Sequence, residues 1–362
     1  MPKANMPDRV VRKVVFSGPR TIDVVSEPSR RLTPREVRIA TVVSGISRGT
    51  EMNFYRGDAA FLEKSYDADL CLFRQDSGAV MSYPIEFGYE NVGRIVEVGA
   101  DISEFSIDQF VVTYQSHRSE VILDIDSRDA LIGDRAPVLP LPQGVPSERG
   151  VFVPLLGVAF NAMLDAQVLL AETVVIFGCG VVGLMALQLA KQAGAAAVLV
   201  VEPVPNRQDL AHKLGADAVF DPTTEIDVAL AIRERTDGRG ADIAIEASGN
   251  HKGLAQAIRV VGYNGRVVAA SWLPGAGGDL RLGEEFHLNR VRLISSQSAG
   301  VNPLLADRWD KARRTKSLLE LLPQVNLDDL ITHRFPLEQA AEAYRMVDNN
   351  PEEVLQVVLT YD

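Results

Sequence analysis

Cysteine is nearly absent from the chain: 362 residues hold two, Cys71 and Cys179. They form no Cys-x-x-Cys pair, which excludes both a disulfide framework and a four-cysteine zinc lobe. Positive charge is in deficit, with 37 Lys and Arg against 48 Asp and Glu and a formal net charge of -11. Nonspecific binding to nucleic acid or to an anionic membrane needs a concentrated basic face, so neither partner is expected. The one basic cluster, 308–316, alternates with apolar residues at helical spacing and reads as a solvated helix face. The opening MPKANMPDRVVRK lacks the apolar run of a signal peptide. The most apolar helical run, 181–190, is too short to cross a bilayer. A cytoplasmic protein acting on a small-molecule substrate is the expectation. Internal repeats and low-complexity segments are missing too.

A chain of this length, 46% hydrophobic and 23% charged, fits about two domains with sizeable cores. Its first part reads as short strands, at 10–16, 36–43, 93–98 and 109–114, punctuated by Gly, Pro, Asp and Ser. A loop-rich stretch at 58–84 interrupts them. At Pro146 the period changes, and 147–166 reads as a helix with Ser147 as its cap. Beyond it, strands at 173–177, 197–201, 218–220, 243–246, 266–270 and 291–295 alternate with helices at 181–192, 206–214, 228–236 and 251–260. Such alternation predicts an α/β domain whose parallel sheet is covered on both faces. An amphipathic helix at 307–322 follows, and a tail, helical at 337–347 and extended at 353–360, is expected to fold back onto the first domain. The expected division is 1–150, 151–302 and 303–362.

The strongest motif is VVIFGCGVVGLMALQLAKQAGA, in which Gly178, Gly180 and Gly183 form G-x-G-x-x-G between an apolar strand and a long helix. Gly178 permits the tight turn, Gly180 lets backbone approach a pyrophosphate, and Gly183 lets helix pack on strand. The helix start at Val181 and Val182 then offers free N–H groups and a partial positive charge to the phosphates. The next strand ends at Glu202, 24 residues after Gly178, where an acid grips the adenosine ribose. A carboxylate there repels a 2′-phosphate, so NAD is expected over NADP. Arg207, in the following turn, tempers this because a guanidinium can pair with phosphate.

The ordered set SGISRGTE, FGYENVGRIVEVG, GCGVVGL, IAIEASG, GRVVAAS and LITHRFPLEQAAEAYRMV resembles the medium-chain dehydrogenase/reductase family over nearly the whole chain. The resemblance implies a Rossmann doubly wound parallel sheet inserted into a GroES-like β-rich catalytic domain, an active site between the two, and a homodimer or homotetramer. It also implies that Ser248, Ser271 and Trp272 lie along the cofactor. Zinc-bearing relatives take ligands from a cysteine before G-T-D, from the histidine of G-H-E, and from a Cys or Glu in the helix before the fingerprint. Here those regions hold Ser47-Arg48-Gly49-Thr50-Glu51, Gly88-Tyr89-Glu90 and Val153, with neither thiolate nor imidazole. His117 reads as a surface-turn residue beside Glu120. No zinc is therefore expected. SGIS-x-GTE followed by GYE-x-VGR is most similar to the bacteriochlorophyllide hydroxyethyl dehydrogenase branch, a hint of alcohol-to-ketone chemistry.

Without a metal, a hydrogen-bond donor must stabilise the developing alkoxide. Tyr89 stands at the histidine position and is the candidate, unless it only fills the space left by zinc. Thr50 and Ser47 are the candidate relay hydroxyls, or else turn caps. Glu51 and Glu90 read as loop braces, Arg48 as an anchor for an acidic substrate group or a solvated cation, and Cys179 as packing. Three functions follow: a zinc-independent NAD(H)-dependent alcohol/ketone oxidoreductase, an NAD(P)H-dependent enoyl or quinone reductase, and a noncatalytic cofactor-binding protein.

Overall fold

The computed structural model describes residues 9–74, 78–127, 138–278 and 280–362. The chain divides into two compact units, one comprising residues through Pro154 together with Leu327–Asp362, the other Leu155–Asn326.

In the first unit the spine is the strand Glu36–Ile46. It pairs antiparallel with Glu90–Val98 on one side. On its other side its first half pairs with Glu120–Asp124 and its last residues with Gln356–Thr360, which lies parallel to Ile331–Pro336. Phe110–Thr113 and Leu139–Pro140 extend the far edge. Alternation along these strands turns Val37, Ile39, Ile95, Val111, Val121 and Leu123 into one apolar cluster. A second cluster gathers Phe16, Ile46, Met52, Tyr55, Tyr344 and Val357. Each fully buried side chain of this size contributes about 1.5–3 kcal/mol relative to exposure.

Three local features depart from the sequence reading. SGISRGTE is not only a turn: Thr50–Arg56 is helical and stops at Gly57, whose φ of 89° is the left-handed conformation that ends helices. Within 58–84, a short helical turn at Ala60–Leu62 and a hairpin of Ser65–Asp67 with Leu72–Arg74 give the described part regular structure; residues 75–77 lie outside the described ones. Phe61 packs its ring 5.3 Å from that of Phe73. Ser147 is no cap; it lies inside a 3-10 turn, Ser147–Phe152, preceded by Pro146. The helical stretch Ser147–Ala166, longer than 181–190, is apolar enough for a membrane span by composition, yet 78% of its most apolar window is buried within the protein.

The second unit is a six-stranded, all-parallel sheet in the order Ala218–Phe220, Ala197–Val201, Thr173–Phe177, Ala241–Glu246, Val261–Ala269, Arg292–Ser295. Numbered along the chain this is 3-2-1-4-5-6, the Rossmann order, with its switch point between Thr173–Phe177 and Ala241–Glu246. Thr173–Phe177 is buried at every residue, which is why it reads as a continuous apolar run. The return to the first unit falls at Leu327, not at residue 303. The reason is packing: in the helix Lys311–Leu321, Arg314 donates to Asn161 Oδ1 at 3.0 Å and to the Gly300 carbonyl at 2.5 Å. Arg313 lies 4.2 Å over the Trp309 ring, so the basic cluster is only partly a solvated face.

Candidate active site

In the first unit, the end of the spine strand, the helix Thr50–Arg56 and the start of Glu90–Val98 bring the predicted hydroxyls together. The Tyr89 phenol and Ser47 Oγ are hydrogen-bonded, and Thr50 is a second side-chain partner of the phenol. Ser47 is buried, Tyr89 and Thr50 half-buried. Burial above all pushes the phenol pKa far up, so Tyr89 is a neutral donor.

Beneath this pair lies a polar network that sequence reasoning missed. Glu51, wholly buried, accepts the Ser47 N–H at 2.9 Å and the Tyr344 hydroxyl at 2.5 Å, and lies 2.9 Å from His117 Nε2. His117 is thus no surface-turn residue beside Glu120: it is fully buried, with Nδ1 2.7 Å from Ser44 Oγ. Ser44 Oγ in turn lies 2.7 Å from the Tyr361 hydroxyl. Glu90 is buried too; Gln356 donates to its Oε2 at 2.9 Å, while Oε1 has no partner among the described residues. Burial first, then the neighbouring Glu51 charge, drives the Glu90 carboxyl well above the ordinary range. Arg48 extends to the Val354 carbonyl, 3.4 Å away.

In the second unit the fingerprint has the backbone its glycines predict. Gly178 has a φ of 87°, and a Cβ there would lie 2.7 Å from Ser248 Cα. A Cβ on Gly183 would overlap the Gly178 carbonyl, whereas one on Gly180 would point into open space. The helix Val181–Gln192 has no side chain capping its start at Gly180. That leaves its first-turn amides, those of Val181, Val182 and Gly183, to be satisfied from outside the helix, as a pyrophosphate would do. Glu202 is buried, and its carboxylate accepts the Cys179 N–H at 2.6 Å and the Val204 N–H at 2.9 Å, which braces the glycine loop. Arg207 is likewise buried, and Cys179 is a fully buried packing residue. Ser248 and Ser271 meet at a further missed residue, Glu246. Its Oε1 accepts Ser248 Oγ–H at 2.5 Å and the Ser248 N–H at 2.7 Å, and its Oε2 bonds Ser271 Oγ. Trp272, 38% exposed, follows Ser271 in the chain. This cradle fits a dinucleotide phosphate group. A shallow cavity of about 280 Å³, lined by Arg239, Arg266 and Arg292 among others, lies at the opposite, amino ends of the strands and is no part of it.

A zinc ion fits poorly. Ser47 and Tyr89 bond each other, Val153 is buried and aliphatic, and both His117 ring nitrogens already have hydrogen-bond partners. The described residues contain no group of three or more His, Cys, Asp or Glu arranged for a metal. A hydroxyl, a phenol that burial keeps protonated and an aliphatic side chain are not the donors zinc takes.

A fingerprint-bearing Rossmann unit and a separate GroES-like β unit with a polar site define a nucleotide-dependent dehydrogenase fold. Comparison with known proteins agrees. Residues 181–312 match the zinc-binding dehydrogenase family. The chain is 28% identical over 359 residues to the D-guloside 3-dehydrogenase of Escherichia coli K12, covering 97% of this chain and 100% of that protein. It is 26% identical over 342 residues to the L-threonine 3-dehydrogenase of Caldanaerobacter subterraneus subsp. tengcongensis, covering 88% of this chain and 89% of that one. The crystal structure of 2R,3R-butanediol dehydrogenase from Bacillus subtilis superposes with a TM-score of 0.76 at 21% identity, over 97% of this chain and 100% of that one. These similarities support an oxidoreductase of the medium-chain dehydrogenase/reductase type.

Proposed function

We propose that the protein interconverts a secondary alcohol and its ketone on a small hydroxylated molecule, using NAD(H) and no catalytic zinc. The observation that carries this is the Tyr89 phenol, kept protonated by burial and hydrogen-bonded to Ser47 where zinc-bearing relatives place a metal ligand. A neutral phenol donates to a carbonyl or alkoxide oxygen and stabilises charge that develops there, which is the task a Lewis acid performs elsewhere. Ser47 and Thr50 hold the phenol and offer the next hydroxyls for the proton. Bound at the fingerprint, the dinucleotide supplies the hydride acceptor or donor. Glu202 supports NAD over NADP, because its carboxylate sits at the glycine loop and opposes an added phosphate. Relatives named for a guloside and for threonine favour a small polyol or sugar-type alcohol over the bacteriochlorophyllide branch that the SGIS and GYE segments resemble.

The test is a panel of sugars, polyols, amino alcohols and simple diols with NAD, run beside enones and quinones with NADH and NADPH. NADH formation from a secondary alcohol is the expected result. Turnover confined to enones or quinones overturns the reading.

A further inference from the structure

We propose that Glu51 is the positioning residue of the Ser47–Tyr89 pair, acting through the Ser47 backbone and itself held by His117 and Tyr344; this rests on the role given to Tyr89 above. Three groups meet on its carboxylate from separate parts of the chain: the Ser47 N–H, His117 Nε2 and the Tyr344 hydroxyl. The network has a consistent direction of donation. With Nε2–H of His117 donating to Glu51, Nδ1 accepts from Ser44, and Ser44 accepts from Tyr361. All these side chains except Tyr361 are fully buried.

A buried carboxylate is costly unless its donors are complete, and an apolar side chain would fill the same volume without that cost. Two of the three donors come from the protein interior; the third is the amide of the residue whose hydroxyl bonds Tyr89. Fixing that amide fixes the Ser47 Cα–Cβ direction, and with it the hydroxyl on which the phenol rests. The Glu51 charge is a lesser addition to the burial that keeps the phenol protonated. Glu51 touches neither substrate nor cofactor in this scheme; it sets the angle of the group that does.

The experiment is a double-mutant cycle on the full chain with Glu51→Gln, Tyr89→Phe and both. Glutamine keeps the volume and an oxygen for the Ser47 amide, and its NH2 can donate to His117 Nε2 if the ring takes the other tautomer. Expected in Glu51→Gln is a tenfold or larger fall in kcat, with the dissociation constant for NADH and the melting temperature near wild type. In the Tyr89→Phe background the same substitution should have little further effect. The readout independent of turnover is the amide proton shift of Ser47 in 15N-serine-labelled protein, which should move upfield when the carboxylate becomes an amide. Full kcat with an unmoved shift, or an equal fall in both backgrounds, overturns the proposal. Should Glu51→Gln not fold, Tyr344→Phe removes one donor without touching the charge and should show the same pattern at about threefold. Full activity in Tyr89→Phe alone defeats the role of Tyr89, a distinct failure that leaves the Ser47 shift to decide whether Glu51 positions the loop.

Discussion

Glu51 and Glu90 are both wholly buried in the same unit, yet their environments differ: Glu51 gathers three hydrogen-bonding partners, whereas Glu90 has a single side-chain donor, Gln356, and one oxygen with no partner among the described residues. Two carboxylates near each other in a poorly solvated site do not both ionise readily. Glu90, with the fewer donors, has its pKa raised well above the ordinary range, by burial and then by the Glu51 charge.

That asymmetry predicts a pH-dependent stability. The folded state holds the Glu90 proton more tightly than the unfolded chain, whose reference value is 4.5. The corresponding stability is therefore full below that pH and is lost as pH rises toward the folded value. Glu90→Gln, which has no proton to lose, should gain melting temperature relative to wild type between pH 5 and 8. Calorimetry across that range checks it, and a constant difference would show that Glu90 is ionised in the fold.

Tyr89→Phe keeps the ring and removes the donor. Turnover should fall about a hundredfold or more, with cofactor affinity nearly unchanged. Stopped-flow or steady-state assays with the alcohol found in the panel, beside a fluorescence titration of NADH, make the comparison. An active Phe variant would reduce Tyr89 to packing and leave Ser47 and Thr50 as the candidates.

Two alanine substitutions in the fingerprint should separate fold from binding. At Gly183 a methyl group meets the Gly178 carbonyl, so Gly183→Ala should lower the melting temperature as well as the affinity for NADH. At Gly180 it meets nothing, so Gly180→Ala should fold normally and still bind NADH at least tenfold more weakly, because the methyl occupies the path of the pyrophosphate. Normal binding by Gly180→Ala would place the dinucleotide elsewhere.

NAD(H) should bind more tightly than NADP(H). Two like charges near one ribose cost on the order of a few kcal/mol even when partly screened. Titration of both cofactors measures the ratio, and equal or tighter NADPH binding would shift the weight to Arg207. Glu202→Ala should also destabilise the unit, since it leaves the Cys179 and Val204 amides without their acceptor.

Elemental analysis of purified protein should find less than stoichiometric zinc, and a chelator should leave the melting temperature in place. One tightly held zinc per chain would require a rearrangement of Ser47, Tyr89 and His117 and would end the metal-free reading.

Local pattern by itself determined the strand–helix alternation of the second unit. The strands Thr173–Phe177, Ala197–Val201 and Ala218–Phe220 and the helices Val181–Gln192 and His251–Val260 have the bounds that periodicity predicts, because apolar runs and 3.6-residue spacing are properties of neighbours in the chain. The glycine spacing foretold the backbone of the strand-to-helix turn for the same reason: Gly178 and Gly183 answer local backbone demands. What only the tertiary structure decided is which side chains meet. His117 lies 66 residues from Glu51 in the chain, and Tyr344 lies 293 from it. No periodicity links such positions, so a histidine flanked by Ser and Arg read as surface and the tyrosine of the 337–347 helix was not singled out. The return point at Leu327 is of the same kind, for a helix goes with the unit that buries it. A buried charge is placed by its donors, and here those donors converge only once the strands have paired.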